Sequence, residues 1–287
     1  MKFFNKYLGL IVLGGCIQSL HSADVGPSII QNPTTTNPSS TSTKVNESPL
    51  PGVKSAASTT TPAASTTTQT TPQASLTAPA QVTTKTEPPK VPERAQEILN
   101  FWFGTLTGPD SFPLSKVDLW LGTTSEDQRE LLDHFSKDVE NARRGDYNSW
   151  RDTPQGRLAL ILLLDQIPRI IFNNSPQAFS SDAMARGLVL EGVQTGEDKA
   201  LYPIQRAFFY FPLIHSESLS YQQLAVRLYN NLYNDSSDIM KPNIDVFRNF
   251  ALSNYDVIKR FGRFPFRNGA LQRVSTPEEN IYLSQPR

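Results

Sequence analysis

Residues 153–169 read TPQGRLALILLLDQIPR, and the unbroken apolar run from Leu158 to Leu164 decides the fold class. Thr153 followed by Pro154 is a helix-opening pair, so the run predicts a central buried helix that Pro168 ends. Working outward, the helical period recurs and no stretch sustains apolar/polar alternation. Ala95, Ile98, Leu99, Trp102 and Phe103 form one stripe at i, i+3, i+4, i+7 and i+8, with Pro92 suited to the first helical position and Gly104 closing the run. Ser125 to Gln128 is a capping box opening a helix with Leu131, Leu132, Phe135, Val139 and Ala142 aligned. Further helices are predicted over 181–194, from Pro203 to about Phe211, from a Ser220–Gln223 capping box onward, over 242–261, and after Thr276-Pro277-Glu278-Glu279. About eight helices with short connections predict an all-α, antiparallel helical array. No 34-residue repeat is present to mark a solenoid.

The 287 residues carry 27 Lys+Arg, 27 Asp+Glu, 3 His and one Cys. Zero net charge argues against a strongly basic nucleic-acid binder, and a single Cys excludes an intramolecular disulfide and a four-cysteine metal site. Composition shifts along the chain. Residues 31–90 hold 34 Ser, Thr or Pro, 6 charged residues and no aromatic, whereas 92–287 hold 25 of the 28 aromatics. The polar stretch has too little apolar surface to offset its ordering entropy, so 24–91 read as a disordered tether before a helical domain over 92–287. Residues 1–23 read as a secretory signal: Lys2 and Lys6 precede an apolar Tyr7–Ile17, too short to cross a bilayer as a helix. Leu13-Gly14-Gly15-Cys16 resembles the bacterial lipobox. Cys16 is therefore the expected lipidation site, giving an exported, envelope-anchored protein; cleavage after Ala23, leaving a secreted protein, is the alternative.

Three clusters carry possible chemistry. Asp165-Gln166-Ile167-Pro168-Arg169 places a carboxylate and a guanidinium four apart. The bland reading is an ion pair locking the helix end; the functional one is a ligand site including Gln166. In His215-Ser216-Glu217, an extended connector points His215 and Glu217 the same way, as suits a general base beside a carboxylate, or else His215 is merely a satisfied polar residue. Arg260, Arg263 and Arg267, with Asn268 and interleaved Phe, form the third. Arginines so placed can hold a carboxylate or phosphate, although Arg260 near a helix C-terminus also satisfies the dipole. His134 and His215 are the only domain histidines, no metal motif is present, and no Gly-rich nucleotide loop or Gly-x-Ser-x-Gly elbow occurs. Neither a metal nor a cofactor is expected.

Together, Leu99-Asn-Phe-Trp-Phe-Gly104, the 157–169 segment, Ala178-Phe179-x-x-Asp182-x-x-Ala185, Phe211-Pro212-Leu213-x-His215-Ser216-Glu217, Arg260 to Asn268 and Ser275 to Glu279 resemble the bacterial domain of unknown function family 924. The likeness runs over about residues 94–283 and implies an all-helical domain similar to the tetratricopeptide-like superfamily, with no reaction to carry over. The family pattern usually has His where Asn254 and Phe266 stand, and Asn and Arg where Ile170 and Asn173 stand. Those departures and the long leader fit recruitment for binding better than catalysis.

Three functions follow. The first is a tethered binding module whose Arg pocket takes an anionic small molecule or peptide; by analogy, concave tetratricopeptide-like faces bind peptides. The second is an envelope scaffold or protein-interaction domain without a small-molecule site. The third is an enzyme using His215 as general base with Glu217. A pocket requires Asp165, Arg169, His215, Arg263 and Arg267 to converge.

Overall fold

The computed structural model describes residues 89–121 and 124–285. The signal, Cys16 and nearly all of the Ser/Thr/Pro tether lie outside the described residues. Among those described, the structure is all helix and turn, as expected. We label the helices α1 (Glu93–Phe103), α2 (Val117–Leu121), α3 (Ser125–Arg144), α4 (Pro154–Ile161), α5 (Ile167–Ile171), α6 (Asp182–Thr195), α7 (Pro203–Phe209), α8 (Phe211–Ile214), α9 (Leu219–Asp235), α10 (Lys241–Phe261) and α11 (Pro277–Ser284).

The 153–169 segment is the centre of the fold. Thr153 caps α4 by accepting the Gly156 amide at 3.1 Å, and Leu158 through Leu164 are all buried. α4 packs on α1, α6 and α7, and α9 and α10, joined by a short connection, pack along one another. An aromatic cluster ties distant elements. Phe208 of α7 lies 5.8 Å from Trp102 and 5.4 Å from Phe103 of α1, 4.7 Å from Trp120 of α2, and 5.8 Å from Phe247 of α10. These spacings are those at which aromatic rings attract beyond simple burial.

Pro168 does not end the buried helix, contrary to the sequence reading. The chain widens into a π-turn over Leu162–Gln166 and runs on through α5, with Pro168 in its first turn. Proline supplies no amide to the carbonyl four residues back, that of Leu164. The Ser181 hydroxyl donates to that carbonyl at 2.8 Å instead, so the helix continues without an orphaned acceptor. Two other boundaries move. α9 begins after Ser218 rather than at a Ser220 box, and the 203–211 helix stops at Phe209, with Pro212 in the first turn of α8. The Thr276 box forms as expected: Thr276 Oγ1 accepts the Glu279 amide at 3.2 Å and Glu279 Oε2 accepts the Thr276 amide at 2.7 Å.

Candidate functional site

The π-turn sets the site. Turns of this kind displace side chains from the regular helical positions and occur often at functional sites. Here the π-turn carries Asp165 and Gln166 into the interior, and Asp165 is fully buried. Arg169, one turn on, reaches back to Asp165 Oδ1 at 3.1 Å, and its Nη2 donates to both carboxylate oxygens of Asp182 at 2.9 Å each. Gln166 Nε2 donates to Asp165 Oδ2.

Asp165 has a third partner, from α8. His215 caps that helix in right-handed helical geometry, with φ −84° and ψ −6°, and its Nδ1 lies 2.8 Å and 3.1 Å from the two Asp165 oxygens. Gln222 holds the connector by donating to the carbonyls of Ile214 at 2.8 Å and Ser216 at 2.7 Å. Burial alone opposes ionisation of Asp165, but Arg169, His215 and Gln166 outweigh it and hold the carboxyl below its usual range.

The Arg-rich loop closes the cluster. Arg267, in a 3₁₀ turn over Pro265–Arg267, is buried, and its Nη2 donates to the His215 carbonyl at 2.9 Å. Its guanidinium lies 4.6 Å from the ring centroids of both Phe179 and Phe264, close enough for cation–π attraction. Phe179 also approaches Arg169, at 5.7 Å. Burial, and then the like charge of Arg169, push the Arg267 guanidinium down to about 10, so it stays cationic at neutral pH.

Arg267 is incompletely satisfied. Nη1 stands 3.7 Å from Asp182, beyond hydrogen-bond reach, and Nε is buried with no partner. The guanidinium presents five N–H donors in a planar fork, and a buried donor left unmade carries its full desolvation cost.

The structure therefore gathers Asp165, Gln166, Arg169, His215 and Arg267, but not the whole predicted set. Glu217 does not orient His215. With His215 in helical rather than extended geometry, Glu217 turns away to accept the Phe264 amide at 2.8 Å and both Arg273 terminal nitrogens at 2.8 and 2.9 Å. That clamp docks the Arg-rich loop on the His215 connector. Arg263 points elsewhere too, pairing with Glu279 at 2.6 and 2.7 Å, and Asn268 donates to Ser275 at 2.9 Å and to Glu279 at 3.3 Å. The Glu279 carboxyl is held down to about 2, chiefly by Arg263. Arg260 is solvent-exposed and bonded to Glu278 at 2.8 Å. These three residues brace α11.

Asp182 and Phe179 are the site residues that the sequence reading passed over as candidates. Their signal was the Phe179-x-x-Asp182 segment, which places an acid in the first turn of a helix. Of the departures from the family pattern, Asn254 is buried and donates to the Phe250 carbonyl of its own helix at 2.9 Å, and Phe266 stands 5.9 Å from the Arg267 guanidinium. Among the described residues, no cluster of three or more His, Cys, Asp or Glu could hold a metal ion, and no helix is long and apolar enough to cross a membrane.

The fold and this ordered set of motifs invite comparison with known proteins. The model of a family described as bacterial protein of unknown function (DUF924) matches residues 98–287. The chain belongs to that family. A solved structure of a protein of unknown function from Agrobacterium tumefaciens is 32% identical; the likeness covers 67% of this chain and 98% of that chain, at a TM-score of 0.56. No curated protein matches. The family match spans every residue of the buried cluster, from Asp165 to Arg267.

Proposed function

We propose that the helical domain binds a small anion, carboxylate or phosphate, at the Arg267 end of the buried cluster. The observation that supports this is the unpartnered Nε of a buried, phenylalanine-flanked guanidinium whose Nη1 also lacks a hydrogen-bond partner. Asp165 and Asp182 are already taken up by Arg169, so the unbonded donors of Arg267, of which Nε is sealed from solvent as the side chains stand, favour an acceptor from outside the chain. A carboxylate or phosphate oxygen meets a guanidinium donor through a charge-assisted hydrogen bond. The scaffold reading draws on Arg260, Arg263 and Arg273, whose carboxylate partners all lie within the fold.

Thermal denaturation of the full chain with millimolar phosphate, succinate or benzoate tests the binding. At least one anion should raise Tm, by an amount equivalent to about 2.7 kcal/mol at one hundred times its Kd. Arg267→Ala should remove the shift. An equal shift in the folded variant would assign the binding elsewhere, and no shift with any of the three favours the scaffold.

The domain works, on this reading, from an envelope anchor at Cys16 through the 24–91 tether; the lipobox-like Leu13–Cys16 supports it. Cys16→Ser should move the protein from the membrane fraction to the soluble fraction of its host. Unchanged fractionation would remove the anchor.

A further inference from the structure

The Asp165–His215 pair has a second face that anion binding leaves unused. An ionised carboxylate only accepts hydrogen bonds, so the Nδ1 held 2.8 Å from Asp165 carries the ring proton. In a neutral imidazole the lone pair is then on Nε2. Burial and Arg169 oppose protonation of the ring, Asp165 favours it, and Arg267 opposes it; the balance lies below the ordinary 6.5. Nε2 makes no hydrogen bond to the described residues, and the His215 side chain keeps 11% of its surface exposed. The ring is packed against Phe211, 5.3 Å between centroids, and the His215 carbonyl is gripped by Arg267. A positioned proton acceptor therefore sits on the residue whose carbonyl Arg267 grips. No Ser, Thr or Cys of the described residues bonds to Nε2, so the proton it would take comes from water or from a ligand.

We infer that His215 is a general base that activates water against an ester of an anionic ligand held by Arg267, with Asp165 as its positioning residue. This rests on the anion-binding reading. Nε2 takes one proton from water as the water oxygen bonds to the ester carbonyl carbon. The bond from that carbon to the alkoxy or aryloxy oxygen then breaks, and the leaving oxygen takes the proton back from Nε2. Acid and alcohol are the products, with no change of oxidation state. A carboxylate that fixes the tautomer and orientation of an imidazole is the arrangement by which the Ser-His-Asp triad sets its base in acyl transfer.

The probe is 4-acetoxybenzoate, with its uncharged methyl ester as comparison and release of the phenol as readout in the full chain. The expected kcat/KM is at least tenfold higher for the anionic ester. His215→Gln, which keeps a polar group of similar size, should lower kcat by about 10²–10⁴-fold. The wild-type rate should rise with pH along a limb centred below 6.5, and Asp165→Asn should alter that limb as well as kcat. Should Asp165→Asn fail to fold, the wild-type limb and the His215→Gln rate decide. Equal rates in wild type and folded His215→Gln, or a wild-type profile without the acidic limb, would overturn the inference. Calorimetric titration with benzoate separates the two claims: binding without hydrolysis overturns the base alone, and absence of binding overturns the anion site with it.

Discussion

Arg169→Ala should destabilise the domain by about 3–5 kcal/mol, the range for removing one partner of a buried ion pair. The side chain is largely buried and serves two carboxylates at once, Asp165 at 3.1 Å and both oxygens of Asp182 at 2.9 Å. Truncation leaves Asp182 without its Nη2 donor and Asp165 with only His215 and Gln166. Both acids are buried, and neither can recover its hydration without opening the structure. Urea denaturation followed by circular dichroism measures the loss. Arg169→Lys should recover only part of it, because one ammonium nitrogen cannot take the places of both Nη1, on Asp165, and Nη2, on Asp182. A cost under 1 kcal/mol for Arg169→Ala would mean that the cluster is hydrated and the pairing incidental.

Phe208→Ala should cost a similar amount, about 3–5 kcal/mol, by a different route. Its ring meets Trp102, Phe103, Trp120, Phe211 and Phe247, which belong to α1, α2, α8 and α10. Deleting it removes apolar burial and leaves a space that five aromatic neighbours, each held by others, cannot collapse to fill. For a domain of this size the fall in Tm is roughly 6–20 °C. Phe208→Leu should restore much of the lost volume and more than half of the stability. Scanning calorimetry of the two variants checks both values, and equal stability of Ala and wild type would remove Phe208 from the core.

The two variants differ in what they do to the site. Phe208 lies in the aromatic cluster, so a folded Phe208→Leu should keep its anion response. Arg169→Ala perturbs the pair that leaves Arg267 unsatisfied, and a folded fraction should bind differently.

The local features of the fold were legible because their causes are local. Thr153 and Thr276 cap the helices that follow them, and Leu158 to Leu164 are buried as their unbroken apolarity requires. Pro168 was misread because the group that rescues the Leu164 carbonyl, the Ser181 hydroxyl, is 17 residues away. The Asp165–Arg169 pair was visible from its spacing of four. The partner of His215 was not, since Asp165 lies 50 residues earlier and the nearby Glu217 offered a plausible local substitute. Spacing in an extended connector selected Glu217; the helical backbone at His215 rotated it away. Arg263 and Arg267 looked equivalent, four apart in one loop. The 3₁₀ turn at Pro265 separates them, sending Arg263 to Glu279 and Arg267 inward to the His215 carbonyl. Sequence pattern thus located the cluster but could not assign its pairs, because those pairs are made between elements far apart in the chain.

The central claim is that the Arg267 guanidinium, whose Nε and Nη1 make no hydrogen bond, receives an anion. The most direct measurement is the ¹⁵N–¹H resonance of its Nε–H group, assigned by its disappearance in Arg267→Lys, during titration of the full chain with phosphate, succinate and benzoate. The account predicts a saturable shift with at least one of them, while the Nε–H resonances of Arg157 and Arg263, bonded to Glu197 and Glu279 within the fold, move far less. A resonance that stays fixed throughout, or that moves no more than exposed Arg260, would contradict it.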